Sequence, residues 1–197
     1  MKRRQMNIFV AVIGLLAVLG APPVATAKDK DEGVELKATL RGFEEVPAIS
    51  TGASGSFRGT ISSDGTSVTY TLSYTGLEGE VRQAHIHLGQ RSVNGGIVVF
   101  LCQTATNPDP TGHAPPCPPS GTVGPTTFTK FNVANSANAQ GIESTTSAGS
   151  TDDEFAEFVR AIRAGVTYAN VHSANAGGVA TKFNSGEIRG QIKAHGD

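Results

Sequence analysis

Apolar and polar residues alternate along much of the chain after residue 33, and this period of two constrains the fold more than any other feature. The segment VELKATLR, residues 34–41, places an apolar residue at every second position. Successive side chains of a β-strand point to opposite faces, so this segment predicts a strand with one buried face. Residues 55–74, GSFRGTISSDGTSVTYTLSY, contain two β-type runs around Ser63-Asp64-Gly65. That arrangement predicts a β-hairpin.

Five further segments have the composition and pattern of strands. The run GGIVVFLC is apolar for most of its length, which predicts a strand buried on both faces. A predicted hairpin loop, ANAGGVATKFNS, lies between the two segments nearest the C-terminus, TYANVHS and GEIRGQIKAH. The five segments are VRQAHIHL, GGIVVFLC, SGTVGPTTFTKFNV, TYANVHS and GEIRGQIKAH, at residues 81–88, 95–102, 120–133, 167–173 and 186–195.

One segment, STDDEFAEFVRAIRAG, has the period of a helix. From Phe155 onward its apolar residues recur at i, i+3, i+4 and i+7, which gives the helix one apolar face. Thr151 with Glu154 three residues later is a capping-box signal, and Gly165 is typical of a helix end. The sequence therefore predicts an all-β fold, an antiparallel Greek-key β-sandwich or barrel with one short covering α-helix at about residues 152–164.

The first 27 residues have the pattern of a secretory signal peptide. A basic start, MKRRQ, precedes an apolar run and the small residues Ala25-Thr26-Ala27. A retained anchor helix is the alternative, but the apolar run is short and two prolines follow it. We expect a flexible leader at residues 28–33 and a single domain at residues 34–195, secreted or periplasmic, with no further segment that crosses a membrane.

Charge argues against a nucleic-acid partner. The chain has 16 Lys and Arg against 17 Asp and Glu, and removal of the signal peptide would take away three of the basic residues. No basic stripe with interleaved aromatic residues is present. A metal ion and an extracellular protein remain as possible partners, and the sequence does not indicate an oligomeric state.

Cys102 and Cys117 are the only cysteines, and in an exported chain they predict one disulfide bond. The ring they close is rich in Pro, Thr and Gly and cannot form a core of its own. In the loop-entropy treatment a ring of this length stabilises the fold by about 3 kcal/mol. A soft-metal site on these cysteines is less favoured, because His113 is the only potential ligand of that type nearby.

Several segments together resemble the CHRD domain, a family named from repeats in chordin and widespread in exported bacterial proteins. The most specific are GFEEVPAISTGASG, AHIHLG followed by NGGIVV, and NVHS followed by GEIRGQI, and their order and spacing carry the resemblance over about residues 36–192. The resemblance implies a secreted β-sheet domain whose molecular activity is poorly defined across the family. It does not imply an enzyme.

Two histidines, His85 and His87, lie two residues apart in VRQAHIHL. In a strand they share one face, and Ala84 and Ile86 lie on the other, which we take as the core side. Two imidazoles so placed can converge on one ion, and imidazole suits copper and zinc. His172 is the best third ligand if its strand is a neighbour, in which case the ligating atoms should lie about 3–4 Å apart.

Three more residues are candidates for supporting roles, as a fourth ligand or as a partner that orients an imidazole: Glu187, Tyr168 and His113. The alternative is purely structural, with the histidines hydrogen-bonded to Glu187, Tyr168 or backbone carbonyls. Glu187 and Arg189 share a strand face, for which we expect an exposed ion pair. We expect His195 to lie in a disordered tail.

Three functions follow from these residues. The first is an exported binding or structural module that holds copper or zinc through its histidine cluster. The second is a metal-dependent redox enzyme whose site resembles that of the Cu/Zn superoxide dismutases, although the dense His/Asp zinc loop of those enzymes is lacking. The third is a protein-interaction module whose histidines are only structural.

Overall fold

The computed structural model describes residues 33–134, 140–142, 153–174, 183 and 185–196. The predicted signal peptide, most of the predicted leader, Thr151 of the predicted capping box and most of the predicted loop at residues 174–185 lie outside the described residues.

The predicted strands and helix are present with small shifts of their ends. The last segment is divided into two strands, and His195 lies in the second of them, opposite Glu35, so its placement in a disordered tail was wrong. The elements are β1 Val34–Arg41, β2 Ser54–Ile61, β3 Ser67–Thr75, β4 Glu80–Leu88, β5 Gly96–Cys102, β6 Gly121–Thr129, α1 Asp153–Arg163, β7 Thr167–Ala174, β8 Ile188–Gln191 and β9 Lys193–His195.

The strands form one antiparallel sheet that curls into a nearly closed barrel. Its order is β5-β4-β7-β8-β1-β2-β3-β6, and β9 pairs with β1. Four strand pairs, β4·β7, β1·β8, β1·β9 and β3·β6, join strands that are distant in sequence. A bridge between Val99 and Val133, and a 2.8 Å hydrogen bond from the Ala134 N–H to the Val98 carbonyl, draw the two edge strands together. The predicted all-β class is therefore confirmed.

The core lies inside the barrel and includes one face of the helix. Phe155, Phe158 and Ile162 are buried, as the spacing predicts. The rings of Phe155 and Phe158 lie 6.3 and 6.0 Å from the ring of Phe128 on β6. After α1, Gly165 adopts a φ of 68°, and its N–H bonds to the Ile162 carbonyl, which ends the helix as expected.

The predicted disulfide between Cys102 and Cys117 is present and fastens a loop over β5. The Asp109 carboxylate accepts hydrogen bonds from the backbone N–H groups of Thr111, His113 and Ala114, which orders a loop that has little core of its own. Ala114 packs with Phe100 in a small second cluster outside the barrel core. The loop therefore helps to cover the outer face of β5.

In the part of the chain that the structure describes, no helix has both the length and the apolar character needed to cross a membrane.

Replacement of Phe158 by Ala tests the role of the helix. Phe158 is 0% exposed, so we expect the variant to lose about 3–5 kcal/mol of unfolding free energy through lost burial and a cavity. Phe131→Ala is the matched control, because Phe131 is 60% exposed and its loss should cost less than about 0.5 kcal/mol. Urea denaturation measures both, and equal losses would show that α1 is not part of the core.

Candidate metal centre

Strands β4 and β7 bring the three candidate histidines together. The two strands pair antiparallel, with His85 opposite Asn170, His87 opposite Tyr168 and Gln83 opposite His172. His172 therefore lies diagonally across from His85 on the same face of the sheet. The neighbouring position of the two strands, on which the third ligand depended, is confirmed.

The three imidazoles form a compact cluster. The His85 ring centroid lies 5.3 Å from that of His87 and 4.8 Å from that of His172, with the rings edge to face. The ligating nitrogens lie within 4.8 Å of one another, which is wider than the expected 3–4 Å. For three nitrogens at this spacing, a common point lies no more than about 2.8 Å from each of them. Movement of each nitrogen toward that point by less than about 1 Å would give the bond length of 2.0–2.1 Å to an ion placed there.

β4 is buried on both faces. Ala84 and Ile86 point into the barrel core, as predicted, and both are fully buried. The histidine face is covered as well, so that His85 is 0% and His87 7% exposed. Phe100 of β5 packs edge-on against His85 with the ring centroids 4.5 Å apart. The cluster thus occupies a second interior layer, with His172 at its half-buried side.

Two irregularities in β5 lie beside the histidines. The pairing of β4 with β5 shifts between Ala84 and His85 and again between Ile86 and His87. Each shift inserts one extra residue into β5, and such bulges redirect side chains and are enriched next to functional sites.

His85 is the least satisfied polar side chain of the cluster. Neither of its ring nitrogens makes a hydrogen bond to any described residue, although both are buried. Burial lowers the pKa of His85 well below its ordinary value of 6.5, and the neighbouring His172 and His87 lower it further, against a smaller opposing effect of the nearby Asn170 amide. The ring is therefore neutral at physiological pH, with a lone pair exposed to its neighbours.

Both ring nitrogens of His87 face an oxygen atom, although a neutral imidazole has only one N–H to donate. Its Nδ1 lies 2.9 Å from the Gly95 carbonyl, to which it must donate, and its Nε2 lies 3.2 Å from Asn170 Oδ1, a second acceptor. The amide of Asn170 is oriented by donation from Nδ2 to the Ser185 carbonyl. Burial lowers the pKa of His87 to about 4, so the ring carries one proton and its Nε2 lone pair faces an oxygen.

Tyr168 contacts His87 by stacking. The two rings are nearly parallel at 4.7 Å, and the guanidinium of Arg189 lies 3.4 Å from the centroid of the Tyr168 ring. His87 comes from β4 and Arg189 from β8, the two strands that flank β7, so the tyrosine ring lies between imidazole and guanidinium. The Tyr168 hydroxyl accepts a hydrogen bond from the Gly95 N–H. Tyr168 therefore fixes the orientation of the His87 ring without contributing an oxygen to the cluster.

The expected exposed ion pair between Glu187 and Arg189 is wrong. Both residues are buried, at 0% and 1% exposure, and they do not pair with each other. The Glu187 carboxylate accepts hydrogen bonds from Thr51 Oγ1, the Glu78 N–H and Ser173 Oγ. Residue 187 precedes β8, so strand alternation does not fix its direction.

Two of the proposed supporting residues lie outside the histidine cluster. Glu187 is engaged as described, and it is not part of the group of potential ligand atoms formed by the three histidines. His113 is exposed on the disulfide-linked loop. The next residue, Ala114, packs against Phe100, which in turn contacts His85.

Glu45 is a site residue that sequence reasoning missed. It is 4% exposed, and neither carboxyl oxygen has a hydrogen-bond partner among the described residues. A methyl group on Gly186 would lie 2.4 Å from Glu45 Oε1 and 2.5 Å from Asn170 Nδ2, so the carboxyl and the amide meet over this glycine. Burial raises the pKa of Glu45 to about 8, against the opposing charge of Arg189.

Nothing in the local pattern marks Glu45. It follows Glu44 in a turn after β1, where a pair of acids is typical of an exposed segment. Asn170 was recognisable only as a neighbour of His172 on one strand face. Both residues acquire their role because the turn at residues 42–45 and the chain at Gly186 close over β7.

The Glu45→Gln variant tests the buried acid. Between pH 4.5 and 8 the unfolded chain releases this proton while the folded protein retains it, so Glu45 makes the protein less stable as pH rises. Gln keeps the shape and removes the ionisation. We expect the variant to exceed the wild type by roughly 2–4 kcal/mol at pH 7 and to match it near pH 4.

Urea denaturation at several pH values gives the difference in unfolding free energy between the variant and the wild type. Both proteins contain His85 and His87, so the contributions of these two histidines cancel in the difference. Glu80→Gln makes the identical change at an exposed position and is the matched control. Parallel pH profiles for wild type and Glu45→Gln would contradict the assignment.

Comparison with known proteins gives one result. The family model described as the CHRD domain matches residues 36–192. No curated protein and no solved structure matches the chain. The matched range begins in β1 and ends directly after β8, so it contains the whole histidine cluster. Because the match covers most of the chain, the protein belongs to the CHRD domain family.

Proposed function

We propose that this protein is an exported CHRD-domain binding module that holds one copper or zinc ion through His85, His87 and His172. The observation that carries the proposal is His85, which is completely buried beside two other imidazoles while both of its nitrogens lack a hydrogen bond to the described residues. A buried polar group without a partner costs about 1–3 kcal/mol, which an ion bound to its lone pair would offset.

His87 supports the same ligand. With Nδ1 donating to Gly95, the Nε2 lone pair faces Asn170 Oδ1, an arrangement that repels. Rotation of the Asn170 amide would only move the conflict, because its oxygen would then face the Ser185 carbonyl. A cation at Nε2 removes the conflict, since it attracts the imidazole lone pair and the amide oxygen together.

The protonation states favour binding at neutral pH. Metal ions bind the unprotonated imidazole, and binding to an imidazolium must displace a proton. Because burial holds the pKa values of His85 and His87 below their ordinary value, both rings are already neutral. Three imidazoles and a nearby amide oxygen form a donor set that suits copper and zinc better than calcium or magnesium.

Export is supported by the disulfide bond. Cys102 and Cys117 are joined, and such bonds persist in oxidising compartments. The signal-peptide pattern of residues 1–27 agrees with this location. A secreted or periplasmic protein would meet copper and zinc outside the cytoplasm.

A purely structural role for the histidines fits these contacts less well. Such histidines would be expected to have both ring nitrogens hydrogen-bonded, as buried polar groups usually are. His85 has neither nitrogen bonded to a described residue.

A redox enzyme built on the same histidines is the second candidate. If the Asn170 oxygen did not bind the ion, three imidazole ligands would leave one position open on a four-coordinate ion, which is the arrangement of catalytic metal sites. The Asp109 carboxylate of the disulfide-linked loop accepts hydrogen bonds from the backbone of its own loop. An assay of superoxide dismutation by the copper-loaded protein tests this candidate. A copper-loaded protein without this activity would eliminate the dismutase.

Metal analysis tests the main proposal. Untagged protein, purified without chelators, should take up one Cu(II) or Zn(II) per chain at micromolar concentration or below, measured by mass spectrometry and by titration. His85→Ala with His172→Ala should weaken binding by at least ~100-fold, because loss of two ligands exceeds the 10–100-fold cost of changing an outer hydrogen-bond partner. The control, His113→Ala with His195→Ala, removes two exposed histidines and should bind normally.

Thermal unfolding separates loss of the site from loss of the fold. Metal should raise the melting temperature of the wild type and of the control, because it binds the folded state, and should leave the His85/His172 variant unchanged. Absence of uptake by the wild type, or equal binding by the His85/His172 variant, would refute the proposal.

A further inference from the structure

Three cations lie side by side on the outer face of the barrel. Lys37 of β1 is directly opposite Arg58 of β2 on one side and directly opposite Lys193 of β9 on the other. Neighbouring strands are about 4.8 Å apart, so the row spans about 10 Å. Like charges directly opposite one another destabilise a sheet, and this row contains two such pairs.

Few acids neutralise this row. Glu35 is the carboxylate that pairs with Lys37, at 2.5 Å, and it is largely exposed. Among the described residues, no salt bridge is made by Arg58 or Lys193. Arg41 lies four residues beyond Lys37 on the same strand face, about 13 Å away. The concentration of positive charge is notable in a chain whose net charge is −1.

The cations line a continuous depression. One cleft of about 390 Å³ is lined by the cations Lys37, Arg41, Arg58 and Lys193, and also by Glu44 with its ion-pair partner Arg91. A second, of about 240 Å³, continues from it and shares Lys37 and Arg58. The neutral groups of the two clefts include hydroxyl and amide side chains: Thr39, Ser56, Thr60, Thr69, Thr71 and Gln191.

We propose that this groove, formed by Lys37, Arg41, Arg58, Lys193 and the hydroxyl side chains around them, binds an acidic polysaccharide. The cations bind carboxylate or sulfate groups, and the Thr, Ser and Gln side chains hydrogen-bond to sugar hydroxyls. Because two clefts join into one groove with charges spread along it, an extended polyanion fits better than a single small anion. A bound polyanion also removes the repulsion within the row.

The side chains of the groove favour a polysaccharide over a nucleic acid. Single-stranded nucleic acids bind largely by stacking their bases on exposed aromatic rings. The aromatic residues of the two clefts, Phe57 and Tyr70, are 0% and 3% exposed and belong to the barrel core. Among the described residues that line the groove, the His195 imidazole is the one exposed ring, so the groove provides mainly charge and hydrogen-bonding groups.

Calorimetric titration of the full chain with two probes tests the proposal. Heparin oligosaccharides carry sulfate and polygalacturonate carries carboxylate, so a comparison of the two titrations shows which anionic group the groove prefers. Dextran is the neutral control. We expect binding to at least one of the two acidic probes and none to dextran. Arg58→Gln with Lys193→Gln should weaken it by at least ~10-fold, since contacts to charged groups contribute about that factor or more each.

The control variant is Arg160→Gln with Arg163→Gln, which removes the same charge from exposed positions on α1 and should bind like the wild type. Arg58→Lys with Lys193→Arg keeps the charge and should also retain binding. The Gln variant should melt no lower than the wild type, because it relieves like-charge pairs.

The proposal is overturned if the wild type binds neither acidic probe, or if the α1 variant loses as much affinity as the groove variant. Tighter binding of single-stranded DNA than of either polysaccharide would also overturn it. These measurements require no bound metal, so they are independent of the proposed metal centre.

Discussion

The antiparallel pairing of β4 with β7 is the interaction on which the rest of the structure depends. It joins segments about 85 residues apart and sets Ala84 against Val171 in the barrel core. Since side chains alternate across a strand, the same register places His85, His87 and His172 together on the other face. A slip of one residue would exchange the two faces and bury the polar side chains inside the barrel. Core packing therefore fixes the geometry of the histidine cluster.

The covered outer face of these strands holds polar groups that are largely kept uncharged. Burial lowers the pKa of His87 to about 4 and raises that of Glu45 to about 8, so both are neutral at pH 7. Arg189 retains its charge and lies against the π face of Tyr168. Burial of a charged group is costly, so the neutral form of a buried ionisable side chain is favoured. The neutral imidazoles keep an unprotonated nitrogen, which is the form that the proposed metal ion would bind.

Much of the fold could be predicted because its signals are local. The alternation of β1, the turn at Ser63-Asp64-Gly65 and the apolar face of α1 each lie within about 20 residues, and all three appear in the structure. The prediction was wrong where burial depends on distant chain. Glu187 and Arg189 have a pattern typical of an exposed ion pair, yet the turn before β2 and the loop after β4 cover them. Glu45 was missed for the same reason.

The sequence by itself determined the strand segments, the disulfide partners and the common face of His85 and His87, because each follows from spacing along one segment or from the number of cysteines. Only the tertiary structure decided that His172 adjoins this pair, that the Asn170 amide oxygen faces the His87 ring, and that Lys37 lies between Arg58 and Lys193. Apart from the pairing of Lys37 with Arg58 on the consecutive strands β1 and β2, these contacts join strands that are not adjacent in the chain. Their pairing is set by how the whole barrel buries its apolar faces, and no local pattern contains that information.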